Sequence, residues 1–145
     1  MTKRILLCDD EAHILRAAEF KFKRAHYEVF CAFDGQEGWE LVLQHRPDIV
    51  VTDCQMPRLN GLQLAERIHT TPETTGLPVI MLSAKGFELS SAEIRDRFGI
   101  RALLAKPFSP RELFQRVEAT LSGEEVPVPR RRRVYEEEGV VIRHL

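Results

Sequence analysis

Short apolar runs alternate with amphipathic segments along most of the chain. Residues 3–8 carry the continuous run Ile5-Leu6-Leu7-Cys8, bounded by acids, as expected of a strand buried on both faces. Residues 11–25 place Ile14, Leu15, Ala18 and Phe22 at helical spacing with charges between them. Residues 27–33 read as a second strand, and Asp34-Gly35 turns into a helix whose apolar stripe includes Trp39, Val42 and Leu43. Pro47 marks the next boundary, before a third strand at 48–52. A loop over 56–61 leads into a helix carrying Leu62, Ala65 and Ile68. After a connector at 72–78, residues 79–82 form a fourth strand. Ser90, with Glu93 three residues on, has the capping-box pattern of a fourth helix. Residues 102–105 are a fifth strand. Ser109, Pro110 and Glu112 open a last helix that turns Leu113, Val117 and Leu121 inward.

Five strands alternating with five helices predict a parallel sheet covered on both faces. In such open α/β sheets, ligands bind beyond the carboxyl ends of the strands. Five polar side chains stand at those ends: Asp9 and Asp10 after the first strand, Asp53 after the third, Ser83 after the fourth and Lys106 after the fifth. Each alone reads as a cap, a turn former or a surface charge. Together, three carboxylates crowded into one edge cost stability unless a cation compensates. Mg²⁺ takes oxygen ligands and keeps several waters, so a few carboxylates suffice, and Mn²⁺ accepts the same donors. Asp53 is already ionised and needs no general base to attack a phosphoryl group, giving an acyl phosphate. Lys106 supplies a point charge and Ser83 a hydroxyl donor for a phosphoryl oxygen.

Composition narrows the class. The 145 residues are 43% hydrophobic and 30% charged with a formal net charge of -1, so no global field favours nucleic acid or an acidic membrane surface. No apolar stretch approaches the roughly 20 residues that span a bilayer, and the amino terminus lacks the pattern of a signal peptide. The expected location is the cytoplasm. Cys8, Cys31 and Cys54 show neither disulfide nor zinc spacing. Cys8 and Cys31 are expected to be buried, with Cys54 partly exposed. The phenylalanines and Trp39 are expected in the core or between helices, and the histidines at the surface. Residues 123–145 change character, with Glu124-Glu125, the Val126-Pro127-Val128-Pro129 segment, Arg130 to Arg133 and then Glu136 to Glu138. The expected organisation is one domain over 1–122 and a charged, Pro-containing tail, flexible or partner-binding.

Residues 1 to about 122 resemble the receiver domain of two-component response regulators. The resemblance is carried by Leu7-Cys8-Asp9-Asp10-Glu11, Asp34-Gly35-Gln36-Glu37, Asp53-Cys54-Gln55-Met56-Pro57 with Asn60-Gly61, Ser83-Ala84-Lys85, and Lys106-Pro107-Phe108, all in order. It implies a doubly wound, flavodoxin-like (CheY-like) sheet of order 2-1-3-4-5. It also implies Asp53 as phosphoacceptor and Mg²⁺ held by Asp9, Asp10, Asp53 and the backbone carbonyl of Gln55. Lys106 would pair with Asp53 or its phosphate, Ser83 would be the switch hydroxyl, and the peptide before Pro107 would be cis. Five positions depart from the pattern or tune it. Leu103 stands where receivers usually carry Tyr or Phe, so the usual switching ring is replaced by an aliphatic side chain. Arg101 and Ala102 replace the acidic pair of receivers joined to winged-helix domains. Gln55 and Lys85 flank the phosphate position.

The resulting expectation is a stand-alone receiver with no enzymatic output domain. It would be phosphorylated by a histidine kinase or phosphotransfer protein and signal to a downstream protein through its fourth helix, fifth strand and last helix. Nucleic acid and membrane partners are not expected, and the chain would be a monomer or dimer. The alternatives are a phosphorelay intermediate or phosphate sink, and a degenerate receiver acting as a constitutive binding module. A haloacid-dehalogenase-type phosphatase would need a second acid at position 55, which is Gln55 here.

Overall fold

Apolar runs too short for helices but continuous enough to be covered on both sides become five strands, each followed by a helical segment. The computed structural model describes residues 2–83 and 90–123. The strands are β1 (Arg4–Cys8), β2 (Glu28–Ala32), β3 (Ile49–Asp53), β4 (Val79–Ser83) and β5 (Ile100–Ala105). The helices are α1 (Ala12–Arg24), α2 (Gly35–His45), α3 (Gly61–Thr70) and α4 (Pro110–Ser122). All pairings are parallel and the sheet order is β2-β1-β3-β4-β5. This is the flavodoxin-like order implied by the sequence resemblance.

Alternation along the strands divides the core into two layers. Leu6, Cys8, Val50, Met81 and Leu103 pack with Val42 of α2 and with Leu64, Ala65 and Ile68 of α3. Ile5, Leu7, Ile49, Val51, Ile80, Leu82 and Leu104 pack on the other face with Leu15, Ala18 and Phe22 of α1 and Leu113 and Val117 of α4. Side chains at helix starts fix where the helices begin. Asp34 accepts from Glu37 N at 2.8 Å, and Asn60–Gln63 and Ser109–Glu112 form reciprocal capping boxes.

Several expectations are corrected. The fourth helical segment forms where Ser90 predicts it but is short among the described residues: residues 91–97 are helical, with Glu93–Arg97 a π-helical turn. Ser90 and Glu93 do bond reciprocally, Glu93 N donating to Ser90 Oγ at 3.0 Å. The turn is short because only Ile94 is buried within it, and Gly99 at φ +63° ends it at once. β5 begins two residues before its predicted start, since Ile100 is buried too. Leu43 is exposed: α2 buries Gly35, Gly38 and Val42, and Leu43 lies one residue off that stripe while Leu41 packs against the core. Phe20 and Phe33 are also exposed. On α1 the buried stripe is Leu15, Ala18 and Phe22, which turns Phe20 outward beneath the Arg24 guanidinium, 5.7 Å from its ring. Cys31 is only half-buried, because β2 is an edge strand. His45 and His69 are half-buried: His45 stacks on Phe30 at 4.1 Å, and His69 lies 3.1 Å from the Asp96 carbonyl. The tail after 123 and Lys85 lie outside the described residues. No described helix is long and apolar enough to cross a membrane.

Candidate functional site

Parallel register brings the acids together. β1 and β3 pair with Cys8 opposite Thr52, so the next residues, Asp9 just past β1 and Asp53 at the end of β3, stand side by side at the carboxyl edge. Backbone bonding runs one step past the strands: Asp9 N to Ala32 O (3.1 Å), Cys54 N to Leu82 O (3.0 Å) and Lys106 N to Ser83 O (2.9 Å). The acids therefore stand on a rigid edge. β1 is also where the strand order reverses, between β2 and β3, which is where open α/β sheets leave a crevice.

One oxygen each from Asp9, Asp10 and Asp53 lies within 4.8 Å of the others. Asp9 and Asp53 are buried and Asp10 is exposed. Asp9 Oδ1 accepts from Glu11 N and Asp53 Oδ1 from Cys54 N, each at 2.9 Å. Burial pushes the carboxyls of both buried acids above the ordinary range. At Asp53 the charge of Asp9 adds to the rise, and Lys106 opposes it without cancelling it.

The lysine meets three carboxylates at once. Its Nζ hydrogen-bonds to Glu11 Oε1 at 3.0 Å and Asp9 Oδ2 at 3.2 Å, and lies 3.3 Å from Asp53 Oδ1 as an ion pair. Burial favours the neutral amine, but Glu11, Asp53 and Asp9 outweigh it and raise the lysine above its ordinary range. The Lys106–Pro107 peptide is cis.

Ser83 ends β4 at the same edge, 3% exposed, and its hydroxyl makes no hydrogen bond to another described residue. Gln55 is exposed in the loop two residues beyond Asp53. Leu103 does not reach the acids. It is buried in the layer containing Met81, Ile94 and Phe98, and its carbonyl accepts from Arg116 Nη1 at 3.1 Å. The structure thus joins Asp9, Asp10, Asp53 and Lys106 directly, sets Ser83 on their edge, and leaves Leu103 in the core. Glu11 was given no role in the sequence reading. Its position right after Asp9-Asp10 was the available signal, but an acid opening a helix reads first as a favourable charge at the helix amino terminus.

The donors suit a hard divalent cation. The three carboxylate oxygens, all within 4.8 Å of one another, would suit a cation that takes oxygen ligands and keeps several waters. Bound there, Mg²⁺ or Mn²⁺ supplies positive charge against the crowded carboxylates and an incoming phosphoryl group.

Residues 5–118 match the profile of the response regulator receiver domain. The chain belongs to the response regulator receiver family. Solved structures agree in fold. A chain described as a response regulator from Chloroflexus aurantiacus is 33% identical, with a TM-score of 0.74 over 84% of this receiver and 99% of that chain. The receiver domain of Francisella response regulator 1452 is 31% identical, with a TM-score of 0.70 over 84% and 98%. The chemotaxis response regulator CheY4 of Vibrio cholerae is 25% identical, with a TM-score of 0.70 over 81% and 98%. Members of the family act in two-component signalling, and the acid cluster of this receiver is compatible with the Mg²⁺ that receivers bind.

Proposed function

We propose that this receiver accepts a phosphoryl group on Asp53 in a Mg²⁺-dependent reaction and signals by protein contact. The observation that carries the reading is the buried Asp53 carboxylate set among Asp9 and Asp10 with Lys106 Nζ at 3.3 Å. The donor is a phosphohistidine of a histidine kinase or phosphotransfer protein. An Asp53 oxygen forms a bond to phosphorus, the bond from phosphorus to the imidazole nitrogen breaks, and the released imidazole takes up a proton. Asp9 and Asp10 hold the cation, with the Gln55 carbonyl as a further ligand. Lys106 neutralises charge on the transferred group. Ser83, whose buried hydroxyl has no partner among the described residues, donates to a phosphoryl oxygen once one arrives. The cytoplasm is the setting in which such donors occur.

Leu103 shapes the output. Moving an equilibrium from 1:99 to 99:1 takes about 5.5 kcal/mol of differential stabilisation. Contacts from Ser83 and Lys106 supply part of it, and Leu103 brings no ring to move. The switch is therefore graded, with a bound partner completing it.

Incubation with acetyl phosphate and Mg²⁺, read by intact mass, tests the reading. One acid-stable, base-labile phosphoryl adduct is expected, absent with a chelator and absent in Asp53→Asn. No adduct on the wild type, or an undiminished adduct in the variant, contradicts the reading. Rapid turnover of diverse phosphate esters would indicate a phosphatase instead.

A further inference from the structure

Lys106 has three N–H donors, and three carboxylates surround it. Its hydrogen bonds go to Glu11 and Asp9, while the proposed acceptor Asp53 is the farthest of the three, at 3.3 Å. Glu11 is the one member of this trio with half its side chain in solvent, against 2% for Asp9 and 10% for Asp53. Its backbone is held on both sides: its N–H donates to Asp9 Oδ1, and its carbonyl accepts from the amides of Ile14 and Leu15, each at 3.1 Å, as α1 begins. Its side chain does not cap the helix. The carboxylate is thus anchored at its root and spends its charge on the lysine.

We propose that Glu11 is a positioning residue that draws Lys106 toward the rim of the site and sets how readily the lysine engages a phosphoryl group on Asp53. This rests on Asp53 being the phosphoacceptor. While Asp53 is unmodified, Glu11 competes with it for the ammonium and limits how tightly Lys106 closes over the acids that hold the cation. A phosphoryl group adds charge beside the lysine and outbids Glu11, which swings into solvent as Lys106 turns inward. Glu11 therefore opposes the phosphorylated state, and its loss favours that state.

The test uses the full chain with saturating Mg²⁺ and beryllofluoride, which binds a carboxylate as a phosphoryl mimic. Glu11→Gln removes the charge, and Glu11→Asp keeps it on a side chain one methylene shorter that no longer reaches Lys106. Asp is a favoured helix-capping residue, so the second variant keeps the fold. Both variants are expected to bind beryllofluoride about threefold more tightly than wild type, the scale of a partly exposed ion pair. Both are also expected to shift the ¹⁵N signal of the Lys106 ammonium before ligand is added. A Glu11→Asp protein indistinguishable from wild type in both readouts overturns the proposal, because any effect of Glu11→Gln is then one of general charge. Wild-type protein that binds no beryllofluoride and forms no adduct with acetyl phosphate overturns the Asp53 reading as well. Wild-type binding with an unaltered Glu11→Asp overturns the role of Glu11 alone.

Discussion

Replacing Asp53 by Asn is expected to stabilise the metal-free protein while abolishing its chemistry. At an effective dielectric constant of about 20, Lys106 at 3.3 Å attracts Asp53 by about 5 kcal/mol. Asp9 and Asp10, each with an oxygen within 4.8 Å, repel it by at least about 3.5 kcal/mol apiece in the same medium. Asp10 faces solvent and is more strongly screened, roughly halving its share, so attraction and repulsion nearly cancel. The burial cost of the Asp53 charge then decides the sign, and it is unfavourable. Asn keeps the shape and the acceptor for Cys54 N, while Lys106 retains Asp9 and Glu11. The expected gain is about 1–2 kcal/mol in chelator at pH 7, or about 4–8 °C in Tm for a domain of this size. The pH dependence follows from the raised carboxyl of Asp53. The folded state binds more protons than the unfolded state above the ordinary aspartate range, so metal-free wild type loses stability as pH rises through that range and the raised one. The advantage of the variant should therefore shrink on acidification, and Mg²⁺ should stabilise wild type more than the variant. Urea melts in chelator and in Mg²⁺, at pH 4 and pH 7, measure all of this. A destabilised Asp53→Asn in chelator, or an advantage that grows toward acid pH, would refute the electrostatic account.

Three further outcomes follow from the same edge and its supports. Gly61→Ala would put a Cβ 2.0 Å from the Asp53 carbonyl oxygen. α3 must then move off the end of β3, with an expected loss of about 1–3 kcal/mol in chemical denaturation and weaker Mg²⁺ binding by titration. Lys106→Met leaves the acids without their ammonium and is expected to cost about 3 kcal/mol in chelator, partly restored by Mg²⁺, as read by Tm. Tyr27→Phe removes the hydroxyl that donates to Glu118 and ties the segment leading into β2 to α4, but keeps the ring on Phe22 and Phe114. It is expected to cost about 1 kcal/mol in urea unfolding without changing phosphoryl transfer.

The sheet was legible because strands buried on both faces are written as apolar runs, and the polar residues that end those runs mark its carboxyl edge. Asp9, Asp53, Ser83 and Lys106 could be placed without side-chain detail, since parallel register alone brings the ends of neighbouring strands together. Helical phase was harder to read. Leu43 and Phe20 are as apolar as their buried neighbours, and only the start and rotation of each helix decide which faces inward. The π-helical turn at Glu93–Arg97 had a visible start in Ser90, yet its early end depends on Gly99 packing against His69, a contact between distant segments. The partnership of Glu11 with Lys106 spans 95 residues and is set by the reach of two long side chains, which sequence patterning does not encode.

The most direct test of the central claim locates the phosphoryl group. After reaction with acetyl phosphate and Mg²⁺, borohydride reduces an aspartyl phosphate to homoserine, and peptide mass spectrometry identifies the residue changed. Conversion confined to Asp53, dependent on Mg²⁺ and lost in Asp53→Asn, is the expected result. Conversion at another carboxylate, or none at all, would contradict the account.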